Sequence, residues 1–402
     1  MRRAEAGRQW VRGADHVYGS PTARPLACFV IDAQAQHLHR RVELGAMKPL
    51  NRFAQRAGTL FGCLNHCLRT ARSPQSLQRV FVVGAGFSSQ LSAGCYPMMG
   101  ALGNELLSKL PFLSKYLQGN EPFDIEIVIT RLDMDIRRRQ PGAARLELER
   151  HIDEVRQFLR NRLSLSQVPN TARRDAAALC SDLFRRGDAI ISFNYDCLLE
   201  HILYQLGTWT PCGGYGGAPG LDPRREYGST MPASPNAITI LKLHGSVNFG
   251  ITQMVCGGGE QWLQVIVDEE LFPGCYAHLG NIPQWPPVTL PSYMKLFGET
   301  RTMVHLWHEA ARRVAEADTL VIVGYSMPAS DNLSHFLISF CTSGTAVGPH
   351  RPLRIAILGG DETEARRIGE TVRRLGRFDP SGIAFKCFGR TEYSALFRFI
   401  SN

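Results

Sequence analysis

No apolar run in this 402-residue chain approaches the roughly eighteen residues that a membrane-spanning helix needs. The longest run near the start, Leu26 to Ala33, follows a segment that carries Glu5 and Asp15, which is not the pattern of a signal peptide. Paired cysteines are also missing. There are eleven cysteines, but they are scattered without any C-x-x-C pair, and this argues against a disulfide scaffold and against a closed zinc site. Cys63, His66 and Cys67 cluster without a second pair. The thiols are therefore read as reduced, the chain as cytoplasmic, and no zinc is expected. Charge of one sign is not concentrated either. The formal net charge of +9 invites a nucleic-acid reading, yet the arginines come as separate pairs (Arg173-Arg174, Arg312-Arg313, Arg366-Arg367, Arg373-Arg374) and one triplet, Arg137 to Arg139. Most fall on polar faces of helical patterns, where a solvated face accounts for them and an anionic partner stays open.

What is present is ordinary globular composition, 44% hydrophobic and 20% charged, and a recurring local pattern. Ile190, Ile191 and Phe193 read as a buried strand that stops at Asn194-Tyr195-Asp196. Leu198, Leu199, Ile202, Leu203 and Leu206 then repeat at helical spacing. Three more strands end alike: Arg79 to Val83 at Gly84-Ala85-Gly86-Phe87-Ser88-Ser89, Ile238 to Leu243 at His244-Gly245-Ser246, and Leu320 to Val323 at Gly324-Tyr325-Ser326. Apolar strands that each end in a small or polar cluster imply a parallel α/β sheet with one shared crevice, since ligands in such folds bind at the carboxyl ends of the strands. A closing unit follows, with a strand at Leu353 to Leu358, a helix from Asp361 to Leu375 begun by Asp361 and Glu364 at capping-box spacing, and a strand at Ile383 to Phe388.

Between the first two strands, residues 111–185 read as a helical insertion. Ile125, Val128, Ile129, Leu132 and Ile136 share one stripe, Leu148, Ile152, Val155, Leu159 and Leu163 another, and Pro141-Gly142 separates them. Asp124 and Glu126 are assigned to a solvated helix face. Residues 207–236, and Cys256 to Gly259, are rich in glycine or proline and read as surface loops that either cover the crevice or merely connect. Residues 1–75 form an N-terminal extension without a motif; Leu60 to Leu68 is compatible with a short helix.

Taken singly, the motifs are weak. Gly84-x-Gly86 allows a phosphate to approach the backbone, but a tight turn needs the same glycines, and Ser89 occupies the third position of the G-x-G-x-x-G pattern. Asn194-x-Asp196 is also a helix-cap pattern, and a histidine beside glycine is often structural. Taken in order, strand-GAGFS, strand-FNYD, strand-KLHGS and strand-GYS resemble the sirtuin-like family over residues 78–361, and look most like its bacterial branch of antiphage-defence enzymes that consume NAD. The resemblance implies a Rossmann-like fold, residues 76–402 as an NAD-binding domain, Gly84, Ala85, Gly86, Phe87 and Ser88 as the dinucleotide loop, and Asn194 and Asp196 in the nicotinamide-ribose pocket. It further implies His244 as the catalytic histidine, and Gly324 and Ser326 as further NAD contacts. Pro291 to Lys295 is similar to a P-x-x-x-K stretch of that branch. The zinc module of deacylating members is missing, and Gly359-Gly360-Asp361 stands where many relatives have Asn-Pro.

On that resemblance the expected activity is hydrolysis of NAD, the substrate, to nicotinamide and ADP-ribose as an effector of antiphage defence. The chain would be held in check in a homo-oligomer or by a defence partner such as a helicase-like, nuclease-like or Argonaute-like protein. A non-catalytic module that binds NAD or ADP-ribose, and an NAD-dependent protein deacylase, are the alternatives.

Overall fold

In the computed structural model of the chain, residues 78–118, 124–218, 221, 237–253, 261–265, 270–273, 300–328, 331–340, 354–375 and 383–387 are described. The N-terminal extension, Cys63, His66 and Cys67, most of the second half of the 207–236 loop, Cys256 to Gly259 and Pro291 to Lys295 lie outside them.

The apolar runs do form strands: β1 (Arg79–Val83), β2 (Ala189–Ser192), β3 (Thr239–Lys242), β6 (Thr319–Val323), β7 (Arg354–Gly359) and β8 (Ile383–Cys387). Strands β4 (Phe249–Gln253) and β5 (Gln261–Val265) instead pair as an antiparallel hairpin that the sequence patterns do not announce. The six-stranded sheet runs β3-β2-β1-β6-β7-β8, and every pair is parallel. This is the doubly wound order, in which the chain leaves the sheet centre first to one side and then to the other. The crevice therefore opens where the direction reverses, between β1 and β6. The expected Rossmann-like parallel α/β sheet is what the structure has.

Strand ends share one level. Val83 pairs with both Ser192 and Val323, and Ser192 with Lys242, so the clusters that follow each strand emerge side by side. β1 is buried throughout, as a sheet covered on both faces requires. Phe81 and Phe87 each meet Phe184 edge to face, at 4.9 and 6.1 Å.

Helix α1 (Ala85–Leu91) follows β1, and α2 (Met99–Lys109) follows α1. The insertion then consists of α3 (Ile125–Arg138), α4 (Ala143–Arg162) and α5 (Asn170–Leu183). The two expected stripes are the buried faces of α3 and α4. Asp124 caps α3 by accepting from the Glu126 and Ile127 amides at 2.8 and 3.3 Å, which satisfies donors that a helix start leaves open. The arginine triplet is spent locally: Arg137 pairs with Asp133 and Arg138 with Asp135, a turn away.

After β2 comes α6 (Leu198–Gln205). After the hairpin come α7 (Arg301–Glu316), α8 (Asn332–Phe340) and α9 (Glu362–Leu375). Arg312 and Arg313 share Glu309, whose carboxyl stays below its ordinary value because the two guanidiniums outweigh burial. Asp361 Oδ1 accepts from the Glu364 amide at 2.8 Å, and Glu364 reaches back to the Gly360 amide at 2.9 Å. The capping pattern thus forms, shifted by one residue at its return bond. Gly359 has a packing reason of its own, since a Cβ there would lie 2.7 Å from the Ala365 amide nitrogen.

Candidate functional site

The ends of β1, β2, β3 and β6 enclose a cavity of about 470 Å³ at the switch point, within the range usual for small-molecule sites. Its wall includes Gly84, Ala85, Ser88, Asn194, Asp196, His244, Gly324 and Ser326. Eight of the residues singled out from the sequence are thus brought together. Gly86 and Phe87 are not in the wall. Phe87 is fully buried in the core beneath α1, and the Gly86 amide donates to the Gly324 carbonyl at 2.9 Å.

The glycines have a structural duty that any ligand role comes on top of. A Cβ on Gly84 would lie 2.6 Å from Tyr325 Cα, and one on Gly324 would lie 2.3 Å from the Phe87 amide nitrogen. Gly324 also adopts φ 56°, which favours glycine. The β1 and β6 loops can touch only because both lack side chains. Three residues on, Met327 holds φ 49°, a costly conformation for a side-chain-bearing residue and one that concentrates at functional sites.

Asn194 is 8% exposed and held rigidly. Its Nδ2 donates to the Gly84 carbonyl at 2.9 Å and to Ser88 Oγ at 2.8 Å. With both amide hydrogens engaged, the group it can offer a ligand is its carbonyl oxygen alone. Ser88, accepting from Asn194, keeps its own hydroxyl proton. Asp196 Oδ1 accepts from the Leu198 amide at 3.1 Å, just ahead of α6, whose N-cap residue is Cys197. The Asp196 carbonyl in turn accepts from Lys242 Nζ at 2.5 Å.

That lysine is fully buried. Lys242 Nζ lies 2.9 Å from Glu200 Oε1, and both side chains are 1% exposed. Burial opposes the ammonium charge, but Glu200 outweighs it and holds Lys242 above its ordinary value. Burial raises the Glu200 carboxyl despite the pairing. The pair underlies the floor of the site, joining β3, α6 and the Asp196 backbone.

His244 sits at the end of β3 with an aromatic brace. The Phe193 ring meets it edge-on at 4.8 Å and stacks on Tyr325 at 4.4 Å. Its Nε2 is 3.1 Å from Asp331 Oδ2, and the Tyr325 hydroxyl is 2.5 Å from the same oxygen. Asp331, which follows the Gly324-Tyr325-Ser326-Met327-Pro328 strand end, receives no role from the sequence, because 87 residues separate it from His244 and nothing local marks the contact. Asp124 and Glu126, expected on a solvated face, instead stand in the cavity wall. The start of α3 abuts the strand ends, a placement the helical period alone does not contain.

Tyr195 also lines the cavity. Its carbonyl accepts from the Val247 amide at 2.8 Å, while its buried hydroxyl has no hydrogen-bond partner among the described residues. Burial drives the phenol well above its ordinary value, so it stays neutral. Burying a polar group unpaired costs about 1–3 kcal/mol. Tyr195→Phe should therefore leave thermal stability unchanged or raise it by the equivalent of up to about 1 kcal/mol; a calorimetric scan that showed a clear loss would mean the hydroxyl is satisfied.

Among the described residues no group of three His, Cys, Asp or Glu is placed to hold a metal ion, and no helix is long and apolar enough to cross a membrane. Cys95, Cys180, Cys197 and Cys212 are free thiols.

No protein-family model matches the chain, and no curated protein does. Among solved structures it is similar to a Sir2 homologue in complex with NAD, at 16% identity over 78% of this chain and 93% of that one, with a TM-score of 0.33. It is also similar to a mutant Sir2 homologue in complex with ADP-ribose, at 15% identity over 78% and 95%, with a TM-score of 0.31. Strand order and register, rather than these likenesses, establish the fold.

Proposed function

We propose that the chain is an NAD glycohydrolase that cleaves NAD to nicotinamide and ADP-ribose. The observation that carries this reading is the convergence of Asn194, Asp196, His244, Ser88 and Ser326 on one switch-point cavity. The sequence resemblance supplies the substrate.

The chemistry fits what these residues can do. As the bond between the ribose C1 and the pyridinium nitrogen breaks, its electron pair goes to nicotinamide, which leaves neutral without needing a proton. Water forms the new bond to C1 and gives up a proton. His244 is the base for that proton, or for one on a ribose hydroxyl. The Asn194 carbonyl oxygen, fixed by the two bonds on its amide, orients the water or the ribose. The carboxylates of Asp124, Glu126, Asp196 and Asp331 share the wall, and among the described residues no lysine or arginine does. Such a lining suits the cationic pyridinium and the positive charge that develops on the ribose. The sequence resemblance assigns Ala85 and Ser88, which line the same cavity, to the dinucleotide loop.

A cell cannot leave such an activity unrestrained, so the reading includes control by a homo-oligomer or by a defence partner of the helicase-like, nuclease-like or Argonaute-like kind, in a bacterial cytoplasm. Expression in a bacterial host tests it. Wild type should deplete cellular NAD and arrest growth, and His244→Ala should do neither. Equal growth and equal NAD in both strains would remove the proposal.

A further inference from the structure

We infer that Asp331 is a positioning residue for His244, forming with it a histidine–carboxylate dyad braced by Tyr325. The inference rests on the glycohydrolase reading and goes beyond it, because neither the sequence patterns nor the resemblance assigns Asp331 a role.

The geometry is specific. His244 follows β3, whereas Asp331 follows β6, three strand spacings away in the sheet order, or about 14 Å at the usual separation. The two side chains nevertheless meet at 3.1 Å over the ends of β2 and β1. Each is held before it meets the other. Asp331 is 1% exposed, its Oδ2 takes the Tyr325 hydroxyl, and its backbone carbonyl takes the Ser334 hydroxyl at 2.8 Å. Tyr325 stacks on Phe193, whose ring edge fixes the imidazole. The Tyr325 phenol is held neutral, by burial first and by the Asp331 charge second, so it acts as a hydrogen-bond donor to the carboxylate.

A carboxylate beside an imidazole fixes which nitrogen carries the proton, holds the ring's orientation and stabilises the imidazolium formed when the base accepts a proton. That assistance acts on the imidazole rather than on the reacting atoms. Among the described residues, the remaining charged or titratable groups in the same wall are Asp124 and Glu126 at the start of α3, Asp196 before α6, and the Tyr195 and Tyr96 phenols. Of the carboxylates in this wall, Asp331 is the one whose oxygen is seen within 3.1 Å of the ring.

The test compares wild type, Asp331→Asn, Asp331→Glu, Tyr325→Phe and Glu126→Gln in NAD turnover across pH, beside thermal melts. Asp331→Asn should melt near wild type yet turn over about ten- to a hundredfold more slowly, a part of the loss expected for the base itself. The sign of its pH effect is fixed. Without the carboxylate the imidazolium is less stable, so the acid limb of kcat/KM moves to lower pH even as the plateau falls. Asp331→Glu, which keeps the charge, should retain the wild-type acid limb. Tyr325→Phe should shift the profile in the direction of Asp331→Asn by less, and Glu126→Gln less still. A structural role would lower the melting point and leave the limb in place.

An independent readout separates this inference from the activity. In proton NMR, the imidazole resonance that disappears in His244→Gln should titrate at lower pH in Asp331→Asn than in wild type. If wild type cleaves NAD but Asp331→Asn matches it in rate and profile, the dyad is refuted and the glycohydrolase reading stands. If wild type does not cleave NAD, that reading fails, and the NMR titration alone decides whether the dyad exists: an unmoved resonance refutes it.

Discussion

His244→Ala should cut NAD cleavage about a hundred- to ten-thousand-fold, the usual cost of losing a positioned general base, without unfolding the protein. The imidazole touches Phe193 and Asp331, but the core around it is carried by β1, β2, β3 and β6, whose side chains are buried independently of it. Asn194→Ala should lose activity on a similar scale for a different reason. Its amide joins the Gly84 carbonyl to Ser88, so its removal frees the β1 loop as well as deleting the oxygen that faces the ligand. The two variants therefore differ in stability. Asn194→Ala should melt lower, by about 1–3 kcal/mol for the acceptors left behind, and His244→Ala should stay close to wild type. If His244→Ala retained full activity while folded, the base would have to be sought elsewhere.

The second large effect is on folding. Lys242→Ala strands Glu200 in the core, uncompensated, and should cost about 3–5 kcal/mol, a large share of the roughly 5–15 kcal/mol that holds an ordinary domain folded. The double replacement Lys242→Met with Glu200→Leu should recover most of that loss, because two apolar residues of similar volume need no partner. Chemical denaturation checks both. Since Lys242 Nζ also holds the Asp196 carbonyl, the double variant should fold and still bind NAD less well, its site floor having lost one tether. Equal stability of Lys242→Ala and wild type would mean that water reaches the pair.

How much of this was legible beforehand follows from the range of each interaction. β1 is read from the sequence at its observed bounds, and β2, β3, β6 and β7 to within a residue or two, because a strand covered on both faces is a run of apolar residues ending where the chain leaves the sheet. The stripes of α3 and α4 are local in the same sense. Hidden are features that depend on sheet order. The close approach of the β1 and β6 loops, which gives Gly84 and Gly324 their duty, exists only because those strands are neighbours. Helix α6 shows an apolar stripe in sequence, yet Glu200 and His201 on it are buried too, since β3 supplies the partner for one of them. Asp331 meets His244 across the top of the sheet. Phe87, at the end of the Gly84-Ala85-Gly86 turn, looks like part of a loop but anchors α1 in the core.

The most direct measurement is incubation of purified wild-type protein with NAD, followed by chromatographic separation of the products. Stoichiometric nicotinamide and ADP-ribose, absent when His244→Ala replaces wild type, is the predicted result. Unchanged NAD, with no heat of binding in a calorimetric titration of the same protein, would contradict the assignment of this cavity to NAD cleavage.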